Sequence, residues 1–311
     1  MQQIIDFTWK ILGSDKCIPV LKLREVGESE VKSIELPGYN FDFSLSQEKY
    51  CVGYLKNGEM VPCKLADSET HLGRILDKPT YTQCPTCERL QGFKSAFMFG
   101  KEANENVKEY LSQKHLIYIA YFEPGIIKVG TASDSRKDKR LIEQDALLYC
   151  FIAETHGSDF ALAGQAIQEL EHAISRELKI TVVVKSGHKF KYLHQKPQSH
   201  GVKKLLEAYT SVYNKFSTGK FSEWLIEKNK IEIVNLSNQP WVYYPDKKVN
   251  LMKNELNVFG QFLGMRGRYL LIENYDNIIA FDERWIIGRT IQDYLEDYKY
   301  PIEPDTQLSL M

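Results

Sequence analysis

The sequence contains no long apolar run. No stretch approaches the ~18 uninterrupted apolar residues that a membrane-spanning helix needs. The first residues, Met1 to Asp6, have neither the basic start nor the apolar run of a signal peptide, and no lipidation motif closes the chain. We therefore expect a cytoplasmic protein with no membrane partner.

Cysteine and net charge are also scarce. Six Cys in 311 residues are too few for a disulfide scaffold, and 40 Lys and Arg nearly balance 41 Asp and Glu. A balanced chain exerts no overall attraction for nucleic acid, so any anion site must be local. The chain also lacks a Walker loop, a Rossmann fingerprint and a nucleophile elbow, which disfavours nucleotide-dependent and serine-hydrolase chemistry.

The patterning that is present predicts an α+β protein in four parts. A length of 311 residues has room for two or three domains, and a hydrophobic content of 43% is ordinary for a globular protein with a core. We predict a small antiparallel β segment at 1–50, a cysteine-rich segment at 51–100, an α/β core with a short central sheet flanked by helices at 112–205, and a helix plus a mainly β C-terminal domain at 206–311.

The clearest local elements lie in the middle of the chain. The apolar runs 115–122 and 126–131, separated by the turn residues Glu123-Pro124-Gly125, predict a β-hairpin. Ser158-Asp159 predicts the N-cap of a helix that ends at Leu178. The remaining predictions are helices at 102–111, 134–142 and 202–216, a strand at 231–234, and a hairpin made by 268–273 and 277–281.

Four of the six cysteines fall in one loop-rich segment. Cys84 and Cys87 are separated by two residues, and Cys51 and Cys63 lie upstream. Such a set favours a structural zinc ion, because four thiolates complete a tetrahedral shell and fix loops that have no core of their own. Two alternatives are small buried hydrophobes with one incidental pair and a redox pair at Cys84 and Cys87, although no βαβ pattern surrounds that pair.

Four residues in the middle of the chain follow a recognisable order. They are Tyr118 in Leu116-Ile117-Tyr118-Ile119, Lys128 in Lys128-Val129-Gly130-Thr131, Arg140 in the next helix and Glu171 in Leu170-Glu171. Their order and spacing resemble the GIY-YIG nuclease superfamily. The chain is also similar to an uncharacterised bacterial family that joins a zinc-ribbon-like cysteine segment to a GIY-YIG-like core. That similarity rests on Cys51-Val52-Gly53, Pro62-Cys63, Gln83-Cys84-Pro85-Thr86-Cys87 and Gly264-Met265-Arg266-Gly267-Arg268-Tyr269-Leu270.

The resemblance implies a phosphodiesterase site. In that superfamily tyrosines help to activate a water, an arginine steadies the scissile phosphate and a helical glutamate binds a divalent metal, which here implies roles for Tyr118, Arg140 and Glu171 with Mg²⁺ or Mn²⁺. These residue types suit the chemistry, which requires neutralised phosphoryl oxygens and an oxygen ligand for the metal. Two positions depart from the pattern: Leu116 replaces the leading glycine, and Lys128 replaces the second tyrosine and could hold a phosphate or act as a base.

A basic stretch follows the helix of Glu171. No Asp or Glu occurs between Leu178 and Leu206, and aromatic residues are interspersed among the lysines. Lysines can follow phosphates and aromatics can stack on unpaired bases, so this stretch predicts nucleic-acid binding through Lys185, Lys189, Lys191 and Lys196. The alternative is a solvated loop whose charge is offset by the acidic C-terminal region.

The sequence therefore supports three functional hypotheses. The first is a nuclease-like protein that binds DNA or RNA and hydrolyses phosphodiesters with a divalent metal at Glu171. The second is an inactive, zinc-stabilised module that only binds nucleic acid. The third is a structural or protein-interaction role, in which Tyr118 is a core aromatic and Arg140 and Glu171 are solvated or form an ordinary ion pair.

Overall fold

The computed structural model describes residues 1–12, 17–56, 59–92, 113–155, 160–197 and 200–301. Within these ranges the protein is a mixed α+β fold built from several small sheets and short to medium helices. The helix predicted at 102–111 and the predicted cap at Ser158-Asp159 lie outside the described residues. In the described part of the chain, no helix has the length and apolar character that crossing a membrane requires.

The elements are numbered in chain order. The strands are β1 (Gln2–Ile11), β2 (Cys17–Glu25), β3 (Val31–Glu35), β4 (Asn40–Leu45), β5 (Tyr54–Lys56), β6 (Glu59–Val61), β7 (His115–Phe122), β8 (Ile126–Ser133), β9 (Leu148–Glu154), β10 (Val234–Asn235), β11 (Val249–Met252), β12 (Asn257–Arg266), β13 (Tyr269–Asn274), β14 (Asn277–Asp282) and β15 (Ile291–Tyr294). The α-helices are α1 (Pro85–Gln91), α2 (Lys137–Glu143), α3 (Phe160–Leu178), α4 (Ser186–Lys191), α5 (His200–Phe216) and α6 (Glu283–Ile286).

The central sheet has the strand order β10-β9-β7-β8 and is antiparallel throughout. The hairpin predicted at 115–131 is confirmed as β7 and β8. Every residue of β7 is buried, because the strand has a core on each face. Tyr118, Ala120 and Phe122 belong to one core, whereas Ile117 and Ile119 belong to the other, as the alternation of side chains along a strand requires.

Two helices cover one face of the central sheet. Helix α3 contributes Ile167, Leu170 and Ile174 to the core on this face, and α5 contributes Leu205 and Tyr209. The helices predicted to end at Leu178 and to span 202–216 are confirmed, and in both the core residues recur at helical spacing. The opposite face of the sheet packs against strands from the two ends of the chain. The central sheet is therefore buried on both sides and holds the side chains of β7 in fixed positions.

The strand predicted at 231–234 is wrong in its extent. Only Val234 and Asn235 pair, with Tyr149 and Leu148 of β9. Ile231 and Ile233 lie in an unpaired segment and pack against the helix-covered core. Their alternating pattern reflects burial against that core and not membership of a strand.

The two ends of the chain share one large sheet. Its strand order is β11-β14-β13-β12-β4-β15, so β4 from the first 50 residues lies between β12 and β15. The hairpin predicted from 268–273 and 277–281 is confirmed as β13 and β14. Strands β1, β2 and β3 form a separate three-stranded sheet.

A buried ion pair ties the central sheet to the large sheet. Arg266, at the end of β12, donates from Nε to Asp145 Oδ1 at 2.6 Å and from Nη2 to Oδ2 at 3.3 Å. Asp145 lies between α2 and β9 in the left-handed backbone region with φ 61°, where Asp is tolerated better than most residues. A Cβ added to Gly267 would lie 3.0 Å from the Asp145 Cβ, so the glycine allows the two segments to approach.

Candidate functional site

The four clustered cysteines converge on one point. The Sγ atoms of Cys51, Cys63, Cys84 and Cys87 all lie within 4.8 Å of one another, and all four residues are buried. Cys84 caps the N-terminus of α1 and Cys87 lies three residues later, so both thiols share one face of the first turn. The β5–β6 hairpin lies between Cys51 and Cys63 and returns the chain to the cluster, which explains their wide spacing in the sequence.

This sulfur arrangement fits a tetrahedral metal ion. The Sγ atoms of Cys63 and Cys84 are 3.8 Å apart, and a zinc ion with Zn–S bonds of about 2.3 Å places its sulfurs at roughly that separation. Backbone amides already support two of the sulfurs: the Cys84 amide donates to Cys51 Sγ at 3.2 Å, and the Leu65 amide donates to Cys63 Sγ at 3.4 Å. The predicted cluster is confirmed as a set of four close cysteines that could hold a metal ion.

A buried arginine lies beside the cysteine cluster. Arg24 of β2 is 2% exposed, and its Nη2 donates to Gln3 Oε1 at 2.6 Å. Its buried Nη1 has no hydrogen-bond partner among the residues that the structure describes. Burial lowers the pKa of Arg24, and negative charge on Cys51 and Cys63 acts in the opposite direction. A metal bound by four thiolates carries net negative charge, which would compensate this guanidinium.

The second group of candidate residues lies on the face of the central sheet that turns away from α3 and α5. Lys128 Nζ lies 3.2 Å from the Tyr118 hydroxyl and also donates to Gln144 Oε1. Gln144 Nε2 in turn lies 2.9 Å from the Tyr118 hydroxyl. Tyr118 is 1% exposed and Lys128 is 9% exposed, whereas Gln144 is half-buried, so solvent reaches the network only from the side of Gln144. The three side chains fix one another in position.

Gly130 makes room for this network. It pairs with Tyr118 across β7 and β8, and a Cβ at this position would lie 2.3 Å from the tyrosine hydroxyl oxygen and 2.4 Å from Cζ. The Tyr118 ring therefore crosses directly over the glycine towards Lys128, two residues along the same strand. The glycine of Lys128-Val129-Gly130 is required by this crossing.

Charges on three further elements act on Lys128. Burial, followed by repulsion from Arg140 and Lys189, lowers the pKa of Lys128 to about 8, whereas Glu171 acts to raise it. Burial also raises the pKa of Glu171 against the opposing effects of His172, Lys128 and Arg140. Strand β8 and helices α2 and α3 thus bring Lys128, Arg140 and Glu171 within electrostatic range of each other, and Tyr118 of β7 joins them through its hydrogen bond with Lys128.

The predicted nucleic-acid lysines divide into two groups. Lys185, Lys191 and Lys196 are exposed. Lys189 is instead directed inward, where Nζ donates to the Gln144 carbonyl and lies 5.0 Å from the centroid of Phe122. Burial, partly opposed by Asp145, lowers the pKa of Lys189 to about 8, with further lowering by Arg140 and Arg268. Lys189 therefore lies in the same site as Lys128. We call this site the Lys128 site, and its residues are Tyr118, Lys128, Arg140, Gln144, Glu171 and Lys189.

Glu171 stands apart from any preformed metal cage in the described part of the chain. In that part of the chain, a metal ion could be shared by three or more Cys, His, Asp or Glu side chains at the four cysteines, and Glu171 is not part of this group. A divalent ion at Glu171 would take most of its ligands from water and substrate oxygens, which is a usual arrangement for Mg²⁺.

Sequence reasoning missed three residues of these sites. Gln144 at the end of α2 joins Tyr118 to Lys128, Asp145 holds Arg266, and Arg24 lies beside the cysteines. Each acts through a contact distant in sequence, and none belongs to a short motif. Only the Gly264–Leu270 segment, which contains Arg266, gave an indirect signal for Asp145.

One protein family matches this chain. Its sequence pattern, described as "Protein of unknown function (DUF2797)", covers residues 39–288. This range includes the cysteine cluster, the Lys128 site and Arg266. Neither the curated proteins nor the solved structures contain a match to the chain.

Proposed function

The chain belongs to the DUF2797 family of proteins of unknown function, and from its Lys128 site we propose that it binds nucleic acid and hydrolyses phosphodiester bonds. One observation carries the proposal: a buried lysine is hydrogen-bonded to a buried tyrosine, with an arginine, a second lysine and a glutamate acting on it. A buried cation is costly, and here the buried Lys128 has two further cations and one carboxylate near it, a surplus of positive charge that favours an anionic ligand.

The phosphate is the group that the cations would hold. The exposed Arg140 offers a planar fork for two phosphoryl oxygens, and Lys189 adds charge at the inner end of the site. Glu171 would hold Mg²⁺ or Mn²⁺, which supplies further neutralisation of the phosphoryl oxygens. Because Lys128 and Tyr118 are buried, charges close to them act more strongly than they would in water.

Lys128 and Tyr118 would take up the proton that the attacking water loses. With a pKa lowered to about 8, a fraction of Lys128 is neutral near neutral pH and can accept a proton through the Tyr118 hydroxyl. The attacking water loses a proton along this path and its oxygen bonds to phosphorus. The bond from phosphorus to the leaving oxygen then breaks, and the leaving oxygen takes a proton from solvent water to form the alcohol. Gln144 keeps the tyrosine and the lysine in contact throughout.

We also propose that the cysteine cluster holds structural zinc. Its four thiols fit a tetrahedral shell, and Arg24 lies where negative charge on a metal–thiolate centre would compensate it. Zinc would fix the loops around β5, β6 and α1, which have a small core made mainly of the cysteines themselves.

A module that binds nucleic acid without cleaving it is the second candidate. The observation that favours it is the replacement of a tyrosine by Lys128 in the resemblance, together with the single carboxylate at Glu171. This module predicts affinity that falls steeply with salt, and an effect of Glu171→Gln close to zero. A structural or protein-interaction role predicts that neither nucleic acid nor divalent metal raises the thermal stability.

The test is cleavage of labelled single-stranded and double-stranded DNA and RNA in Mg²⁺ or Mn²⁺. We expect Glu171→Gln and Arg140→Ala to abolish cleavage while the fold survives, and the matched control Glu177→Gln, an exposed acid on the same helix, to retain it. The rate should rise with pH and level off above about 8, as Lys128 loses its proton.

Lys128→Arg separates two roles of the lysine. Arginine keeps the positive charge but does not deprotonate. The Lys128→Arg variant should therefore lose cleavage if Lys128 is a base, and should retain cleavage if Lys128 only holds phosphate. Absence of cleavage on all four substrates, or full activity of Glu171→Gln, would overturn the hydrolase proposal. Binding without cleavage would favour the second candidate.

A further inference from the structure

A polar cleft lies at the opposite edge of the central sheet from Lys128. It has a volume of about 480 Å³, which is within the ~300–1,000 Å³ range of ligand sites. The residues that line it are Leu148, Lys196, Pro197, Val202, Asn235, Ser237, Asn238, Gln239, Val242 and Tyr244. None of these residues takes part in the Lys128 network, so the cleft is a separate feature.

The lining of the cleft combines carboxamides with one aromatic ring. Asn235, Asn238 and Gln239 each carry both a hydrogen-bond donor and an acceptor, and Asn235 and Asn238 are exposed. The Tyr244 ring lies 5.8 Å from Lys196 Nζ and 5.0 Å from the Arg266 guanidinium. None of the described residues that line the cleft carries a carboxylate. A planar ligand with mixed donors and acceptors and a nearby negative charge matches this combination.

Although the cleft and Lys128 are at opposite edge strands, they lie at the same level along the strand direction of the sheet. Asn235 pairs with Leu148, Leu148 with Tyr121, and Tyr121 with Ile127, the residue before Lys128. Three interstrand spacings of about 4.8 Å separate β10 from β8, so the backbones of Asn235 and Ile127 are roughly 14 Å apart. At a rise of about 3.4 Å per stacked nucleotide, about four nucleotides would cover this distance.

The basic stretch connects the two places. Thr181 forms a bridge to Lys128, Lys189 donates to the Gln144 carbonyl, and Lys196 lines the cleft. The chain from 181 to 196 therefore passes from the Lys128 site to the cleft and carries no acidic residue. The exposed Lys185, Lys191 and Lys196 supply positive charge on this path.

We propose that the cleft binds one unpaired nucleobase of a single-stranded nucleic acid whose phosphates follow this path to Lys128. The carboxamides contact the hydrogen-bonding edge of the base, which is accessible only when the base is not paired. Tyr244 contributes an apolar surface, and Lys196 contacts the adjoining phosphate. This inference rests on the proposed function and adds to it that the substrate is single-stranded.

The test is binding of the full chain, without added divalent ion, to a fluorescein-labelled strand of about twelve nucleotides and mixed sequence, within the ~4–16 nucleotides typical of single-strand sites. The same strand annealed to its complement is the comparison. We expect the single strand to bind at least about tenfold more tightly. Asn238→Ala should weaken it about three- to tenfold and leave duplex binding unchanged, because hydrogen bonds to the base are lost.

Two further variants sharpen the test. Asn238→Asp keeps the size of the side chain and removes the amide donor, and should also weaken the single strand. Asn229→Ala is the matched control, because Asn229 is exposed and does not line the cleft. It should bind as the unmodified chain does.

Four outcomes would count against the inference. Equal affinity for single strand and duplex, or no effect of either Asn238 variant, would overturn it while leaving the proposed function in place. Competition by a mixture of free mononucleotides as effective as competition by the unlabelled strand would overturn the strand path. Absence of binding to both probes would instead remove the proposed function itself.

Discussion

Removal of the Arg266 guanidinium should strongly destabilise the protein. In Arg266→Met the side chain keeps most of its apolar length, but the Asp145 carboxylate loses donors at 2.6 and 3.3 Å, and the Leu193 carbonyl loses a donor at 3.0 Å. Arg266 and Asp145 are only 2% and 7% exposed, so water cannot replace the lost contacts. Breaking one side of such a buried pair costs about 3–5 kcal/mol.

The assay is urea unfolding followed by tryptophan fluorescence. We expect a loss of about 4 kcal/mol, a large share of the ~5–15 kcal/mol typical of whole proteins, and a fall in Tm of roughly 6 °C for a chain of 311 residues. The control Arg176→Met removes an arginine that is 77% exposed and paired at 3.3 Å, and should cost less than about 0.5 kcal/mol.

A double variant distinguishes the buried charge from lost packing. Adding Asp145→Asn to Arg266→Met should recover about 1–2 kcal/mol, because asparagine tolerates the backbone φ of 61° and carries no uncompensated charge. If Arg266→Met lies within about 1 kcal/mol of the unmodified chain, the pair does not hold the two sheets together and the reasoning is refuted.

Two further predictions concern the Lys128 site and the cysteine cluster. Gly130→Ala places a Cβ 2.3 Å from the hydroxyl of the buried Tyr118, and should lower the free energy of unfolding in urea by about 2 kcal/mol. The double variant Gly130→Ala/Tyr118→Leu should recover part of this loss. A single variant as stable as the unmodified chain would contradict the close packing. Purified protein should contain about one zinc per chain by elemental analysis, and Cys84→Ser should abolish it. Arg24→Gln should speed zinc loss to a chelator, whereas Arg176→Gln, with the same charge change, should not; equal rates would exclude Arg24 from the metal centre.

Elements with short-range signals could be predicted from the sequence. Strands β7 and β8 carry continuous apolar runs around a tight turn, and helices α3 and α5 repeat their apolar residues at helical spacing, so local periodicity sufficed. The cysteine cluster was predictable because Cys84 and Cys87 share a helical turn and the other two lie in the same segment. In each case the information lies within a few tens of residues.

Features that depend on distant contacts could not be predicted. The apolar alternation at Ile231 and Ile233 is the same for a strand and for a loop packed on helices, and only the partner decides between them. The inward direction of Lys189 depends on Gln144, which is forty-five positions earlier in the chain. Gln144, Asp145 and Arg24 gain their importance from neighbours supplied by the folded chain, and no local pattern marks them.

The position of β4 has a consequence for the order in which the chain can be completed during synthesis. Asn40–Leu45 leaves the ribosome more than two hundred residues before either of its partners, β12 and β15. Until then β4 exposes two unpaired edges, and the cysteine cluster and the central sheet are a long insertion within an unfinished sheet. The emerging chain therefore depends on whatever shields that strand, and a fragment that stops before residue 257 has no native partner for it.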